Sequence, residues 1–328
     1  MTLFQTKPIF LLIVLLHVMS CAGSNRELAV NASDMDIQRL RLPEQQSMPT
    51  ERWDGSKALE PGLAGKRILL FEDFEASDYK KNWPVYWGEP VGAGTVSSPL
   101  EYVFAGKRSS YIQSHEGEHR SSGAGEYVPN TPLDEAYARL YIRLPDDFSI
   151  GSSDGLKLFS ILGGARLENT YGGAGRRPTG TDKFSATLAI DNSHEVHLYY
   201  YHPDQRKRYG DFAYCNGLFC SQKIFPGRWY CLEMMLKANT PGSRDGQLKV
   251  WMDGRRIIEI NKMRFRDAGE VKIRRFSIVN YWGGGQRQDT SPKDQRIYID
   301  NYVVSSEPVG CYSATVSIAP YHVNGDGL

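Results

Sequence analysis

The chain has 328 residues, with 39 Lys and Arg against 38 Asp and Glu, and 41% of its residues are hydrophobic. A formal charge of +1 excludes a general nucleic-acid binder, which needs a positive surplus to release counterions from phosphates. With 19 Tyr, 13 Phe and 6 Trp there is ample surface to bury, so disorder is excluded for most of the chain, and the length fits one large β domain or two small ones.

The first 20 residues read as a secretory signal. Lys7 precedes the apolar run from Ile9 to Leu16, which is too short to span a bilayer, and small residues follow it. Val18-Met19-Ser20-Cys21 has the order of a bacterial lipobox, in which Cys21 is acylated and becomes the N-terminus; cleavage after Ser24 is the other reading. Either way the protein is expected outside the cytoplasm, with a lipid on Cys21 as its one link to a membrane. Residues 21–65 are polar and aperiodic and read as a tether.

From residue 66 to 310 short apolar or alternating runs are separated by Gly, Pro, Asn and Asp. They are found near residues 67–71, 136–144, 155–162, 184–190, 195–201, 229–236, 247–252, 276–279 and 297–304. Repeated strands punctuated by turn residues predict an all-β, two-sheet antiparallel sandwich, with residues 311–328 as a tail. Asp245-Gly246 and Asp253-Gly254 bracket one strand with dipeptides that accept the positive φ of tight hairpins. Four cysteines follow Cys21, an even number suited to an oxidising compartment. The Asn216-Gly217 turn between Cys215 and Cys220 favours their pairing, leaving Cys231 and Cys311 as a second pair; the spacing does not match a zinc site.

Side chains alternate between the two faces of a strand, so each run can be divided. Phe184, Ala186, Leu188 and Ile190 read as core-facing, which puts Ser185 and Thr187 on the opposite side. Val196, Leu198 and Tyr200 oppose His197, Tyr199 and Tyr201; Leu156 and Leu158 oppose Lys157 and Phe159. Ala138, Leu140 and Ile142 leave Tyr137, Arg139, Tyr141 and Arg143 together. A face of Tyr, Arg, Lys, His and Ser on a curved sheet suits an extended sugar polymer, with rings stacking on sugars and cations pairing with carboxylates. The same composition also fits an ordinary solvent-facing sheet held by cross-strand pairs.

The order of several blocks resembles polysaccharide lyase family 14. These are the segment from Asp154 to Gly164, the strand Tyr199-Tyr200-Tyr201, Gly227-Arg228-Trp229, the run from Leu236 to Gly242, the run from Asp245 to Gly254, Tyr281-Trp282-Gly283-Gly284-Gly285, and the strand from Tyr298 to Val304. The resemblance covers roughly residues 66–310. It implies a concanavalin-A-like β-jelly roll and β-elimination of an acidic, uronate-containing polysaccharide such as alginate or glucuronan, without cofactor or metal. The family's Lys falls on Lys157 and its Tyr-x-Tyr pair on Tyr199 and Tyr201. Its Ser-x-Arg pair falls on Ser185 and Thr187, so the Arg is absent.

The chemistry explains why those residue types matter. A nearby cation lowers the cost of the negative charge that develops when a proton leaves the carbon beside a carboxylate. A Tyr, whose free phenol has a pKa of about 10, can act as base if the phenolate is favoured, and a second Tyr can protonate the departing oxygen. Arg139 or Arg143, expected beside Tyr141 on the same face, are candidates for the missing Arg, and His197 is the rival base or a substrate contact. His115-Glu116-Gly117-Glu118-His119 reads as a flexible loop. Two functions follow: an exported lyase, or a non-catalytic surface glycan-binding module on the same scaffold.

Overall fold

The strands pair as two antiparallel sheets, in which some neighbours are joined by short turns and others by longer connections that cross between the sheets. The structure, a computed structural model, describes residues 60–76, 94–120, 125–170, 174–215, 222–284 and 288–312. The candidate lipobox, nearly all of the tether and Cys220 lie outside the described residues. All of the described residues belong to one unit, Gln46–Leu328.

The first sheet holds β1 (Ile68–Glu72), β2 (Gly94–Val96), β3 (Ser109–Ser114), β5 (Glu135–Arg143), β10 (Trp229–Lys237), β11 (Gly246–Met252), β12 (Arg255–Met263) and β14 (Gln295–Ser305). Its order is β12-β11-β10-β5-β14-β3-β2, with β1 also paired to β14. The second sheet holds β4 (Glu126–Tyr127), β6 (Leu156–Gly164), β7 (Lys183–Ile190), β8 (Val196–Tyr201), β9 (Asp211–Tyr214) and β13 (Lys272–Trp282), in the order β4-β13-β6-β7-β8-β9. This is the expected all-β sandwich.

The core lies between the sheets and is made by the alternation read above. Ala138, Leu140 and Ile142 of β5 meet Ala186, Leu188 and Ile190 of β7 and Val196 and Leu198 of β8 in one buried cluster. Burying a side chain of this size contributes about 1.5–3 kcal/mol, so the apolar face of each strand fixes its register. At the β11–β12 hairpin, Asp253 and Gly254 both take positive φ, 50° and 78°, as the Asp-Gly signal predicts. Asp245-Gly246 does otherwise. Gly246 opens β11, and a Cβ there would stand 2.8 Å from the Met263 carbonyl oxygen and 2.9 Å from the Phe265 ring, so close packing is what requires glycine.

Two expectations about faces are corrected. A bulge between Lys157 and Phe159 slips the β6–β7 register by one residue, and Phe159 turns into the core, edge-on to Tyr302. Strand β5 belongs to the first sheet, so Arg139, Tyr141 and Arg143 lie on the opposite sheet from Lys157 and the Tyr pair. Arg139 is fully buried, with Nη2 2.7 Å from Glu60 Oε2; Tyr141 donates to Glu60 Oε1 at 3.2 Å and accepts from the Tyr312 amide at 2.6 Å. Arg143 bonds the Gly227 carbonyl. The C-terminal segment continues this cover: the amides of Val309 and Gly310 donate to Glu233 at 2.7 and 2.9 Å, and Cys311 is disulfide-bonded to Cys231. Cys215 is also disulfide-bonded.

Candidate functional site

The outward face of the second sheet presents side chains in cross-strand rows. One row runs Tyr281 (β13), Lys157 (β6), Ala189 (β7), His197 (β8) and Tyr214 (β9). The next runs Glu126, Ser277, Ser160, Thr187, Tyr199 and Phe212. A third runs Arg275, Leu162, Ser185 and Tyr201. Strand pairing thus brings Lys157, Ser185, Thr187, His197, Tyr199 and Tyr201 onto one face, from three separate stretches of sequence. A cavity of about 590 Å³ lined by Tyr102, Tyr111, Arg296 and Tyr298 belongs to the first sheet and contains none of them.

Lys157 is largely enclosed. Its Nζ lies 4.5 Å from the Tyr281 ring centre and 5.5 Å from that of Tyr199, with a long 3.4 Å contact to the Gly283 carbonyl. Burial lowers its pKa from 10.5 to about 8, and the Asp289 carboxylate opposes the shift. The amine therefore remains mostly protonated at neutral pH while being costly to keep so.

The hydroxyls of Tyr199 and Tyr201 are 2.7 Å apart, and the Gly175 amide donates to the Tyr201 oxygen at 3.3 Å. Burial, and then the hydrogen bond to Tyr201, hold the Tyr199 phenol above its ordinary value, so Tyr199 keeps its proton. Negative charge arising on the Tyr201 oxygen meets a backbone donor. Thr187 has Oγ1 2.8 Å from the Ser160 hydroxyl. Arg275 faces the same side, but its Nη1 is 3.0 Å from Glu126, whose carboxyl burial pushes up to about 7 against the pull of the guanidinium.

His197 stacks on Tyr214 at 5.0 Å and approaches Phe212 at 5.6 Å, and its Nδ1 lies 3.4 Å from the Glu195 carbonyl. Burial lowers its pKa, so it is neutral near pH 7. The sequence reading missed Tyr281, Phe212, Tyr214 and Gly175. The alternating β9 run from Asp211 to Tyr214 carried a signal for two of them, since Phe212 and Tyr214 are its exposed aromatics. His119, from the loop set aside earlier, stacks on Tyr281 at 6.0 Å. Among the described residues, no group of three or more His, Cys, Asp or Glu is placed to hold a metal ion.

Two antiparallel sheets packed over one core, with almost no helix among the described residues, define an antiparallel β-sandwich. The family model described as "Polysaccharide lyase 14" matches residues 104–302, more than half of the chain, and the protein belongs to that family. Solved structures share the fold. The alginate lyase of Aplysia kurodai is 19% identical, with a TM-score of 0.59, over 73% of this chain and 99% of that one. The Chlorella virus alginate lyase vAL-1 is 17% identical, with a TM-score of 0.54, over 73% and 100%. The endo-β-1,4-glucuronan lyase of the fungus Trichoderma reesei is 16% identical, with a TM-score of 0.52, over 73% and 96%. No curated protein matches the sequence.

Proposed function

We propose that the protein is an exported lyase that cleaves an acidic, uronate-containing polysaccharide by β-elimination. The observation that carries this is the convergence of Lys157 with the hydrogen-bonded Tyr199–Tyr201 pair on one face of the second sheet. The protonated Lys157 faces the sugar carboxylate and stabilises the charge that develops as the adjacent C–H bond breaks. The Tyr201 oxygen takes that proton, the electron pair forms the carbon–carbon double bond, the glycosidic C–O bond breaks, and Tyr199 gives its proton to the departing oxygen. The pair is then left with the proton on Tyr201, and transfer across the 2.7 Å bond restores the starting state. Neither water nor an added cofactor enters this balance. Ser185 offers a hydroxyl to the sugar, and the exposed Phe212 and Tyr214 offer ring faces with the buried His197 packed behind them.

Family membership supports the reading, as do the alginate and glucuronan lyases that share the fold. The signal-like N-terminus and the cysteine usage support export. The test is to incubate the protein with alginate, glucuronan and related polymers and follow new unsaturated ends by ultraviolet absorbance, with Tyr201→Phe as the comparison. Wild-type product that vanishes in Tyr201→Phe, with binding retained, is the expected result. Binding of an acidic polymer without product in any pairing would replace the lyase with a glycan-binding module, a reading the absence of the family Arg at Thr187 favours. Mass spectrometry of the mature N-terminus tests the anchor: a lipid on Cys21 is expected, and an unmodified terminus at Asn25 excludes it.

A further inference from the structure

The Tyr201 end of the site is bordered by basic residues that the chemistry above does not use. Arg176 and Arg177 follow Gly175, and Arg206, Lys207 and Arg208 lie between β8 and β9; all five are exposed. Among the described residues none of the five is ion-paired with a carboxylate. Arg177 Nε bonds the Pro203 carbonyl at 2.7 Å and Arg208 Nε the Gly175 carbonyl at 3.2 Å. The nearby acids are engaged elsewhere: Asp204 pairs with Arg244 at 2.9 Å and Arg264 at 2.8 Å, and Asp211 with His202 at 2.9 Å. Burial lowers the pKa of Lys183; the Asp182 carboxylate opposes the shift and Arg176 adds to it.

The cluster is built into the site. Gln205 is fully buried; its Nε2 bonds the carbonyls of Lys207 and Arg208 at 3.1 and 3.3 Å, and its Oε1 accepts the His202 amide at 3.1 Å. That anchoring fixes the backbone from which the three cations extend. Gly175 then couples the two basic segments to the reacting pair, since its carbonyl accepts from Arg208 and its amide donates to Tyr201. A Cβ at Gly175, where φ is +69°, would lie 2.7 Å from Arg208 Nε, so this junction depends on glycine.

We infer that residues 174–177 and 206–208 form a polyanion-binding rim, which holds the carboxylates of sugar units beyond the cleaved bond. Guanidinium groups pair with carboxylates through matched donor geometry, and several unneutralised cations concentrate a polyanion at the site. This rests on the proposed acidic polysaccharide substrate but not on its cleavage.

The test is binding of polymannuronate and polyglucuronate, measured by affinity electrophoresis across a salt series, with a neutral β-glucan as the reference polymer. Arg206→Gln/Lys207→Gln/Arg208→Gln is compared with Arg255→Gln/Arg256→Gln/Lys262→Gln, which removes equal charge from β12 on the other sheet. Both are also made in the Tyr201→Phe background so that cleavage cannot distort binding. The expected result is at least a fivefold rise in dissociation constant and a flatter salt dependence for the rim variant alone, with thermal unfolding of both variants close to wild type. Equal affinity of the two variants overturns the inference even if the wild type cleaves the polymer, and so does failure of the wild type to bind any polyuronate. Charge-dependent binding lost only in the rim variant, with no product from any polymer, upholds the rim and refutes the lyase.

Discussion

Lys157→Met separates the cost of the enclosed cation from its use. Lowering the pKa from 10.5 in the open chain to about 8 in the fold, at about 1.4 kcal/mol per tenfold change in proton affinity, corresponds to about 3 kcal/mol of destabilisation while the amine is charged. Between pH 8 and 10.5 the unfolded chain binds more protons than the folded one, so wild-type stability rises through that window and carries the full cost below pH 8. Met has similar length and no charge. The ring contacts with Tyr281 and Tyr199 that it forfeits offset part of the gain, each cation–π contact contributing about 0.5–1 kcal/mol. The variant is therefore expected to be more stable by about 1–2 kcal/mol at pH 7 in urea unfolding, with the advantage shrinking toward pH 10, while product formation is lost. A variant less stable than wild type at pH 7, or an advantage that does not change with pH, would refute the reasoning that burial of the charged amine sets its pKa.

The remaining predictions concern the pair, the pH profile and the opposite sheet. Tyr199→Phe removes the proton donor with little change in packing and should lower kcat at least a hundredfold with KM within a few-fold, read by initial rates over a substrate series. Because only the protonated amine can stabilise the developing charge, kcat/KM should fall above about pH 8, and Lys157→Arg should move that limb to higher pH if any activity remains. Arg139→Met leaves Glu60 buried without its partner and should destabilise by about 3–5 kcal/mol in chemical unfolding, without altering the polyuronate binding of the folded protein. Cys231→Ala/Cys311→Ala opens a link between residues 80 apart and should lower stability by about 2–4 kcal/mol, measured against the wild type under non-reducing conditions.

Alternation alone determined which residues of β7 and β8 face the core, because apolar burial on one side of a strand leaves its neighbours on the other; this is why Ser185, Thr187, His197, Tyr199 and Tyr201 could be grouped from the sequence. The Asp253-Gly254 hairpin was equally legible, since positive φ is a local property of those residue types. Sheet membership was not. β5 has the same pattern as β7, apolar toward the core and Tyr or Arg away from it, and only pairing with β10 and β14 assigns it to the other sheet, where Glu60 and the C-terminal segment bury Arg139 and Tyr141. The phase of β6 was likewise decided by its bulge, which exists only in relation to β7 and sends Phe159 inward while Lys157 stays out. The approach of Tyr281, Gly175 and Arg208 to the Lys157, Tyr199 and Tyr201 cluster depends on strands and turns far apart in the chain. Such contacts are set by long-range pairing and by what covers each face, which local periodicity does not encode.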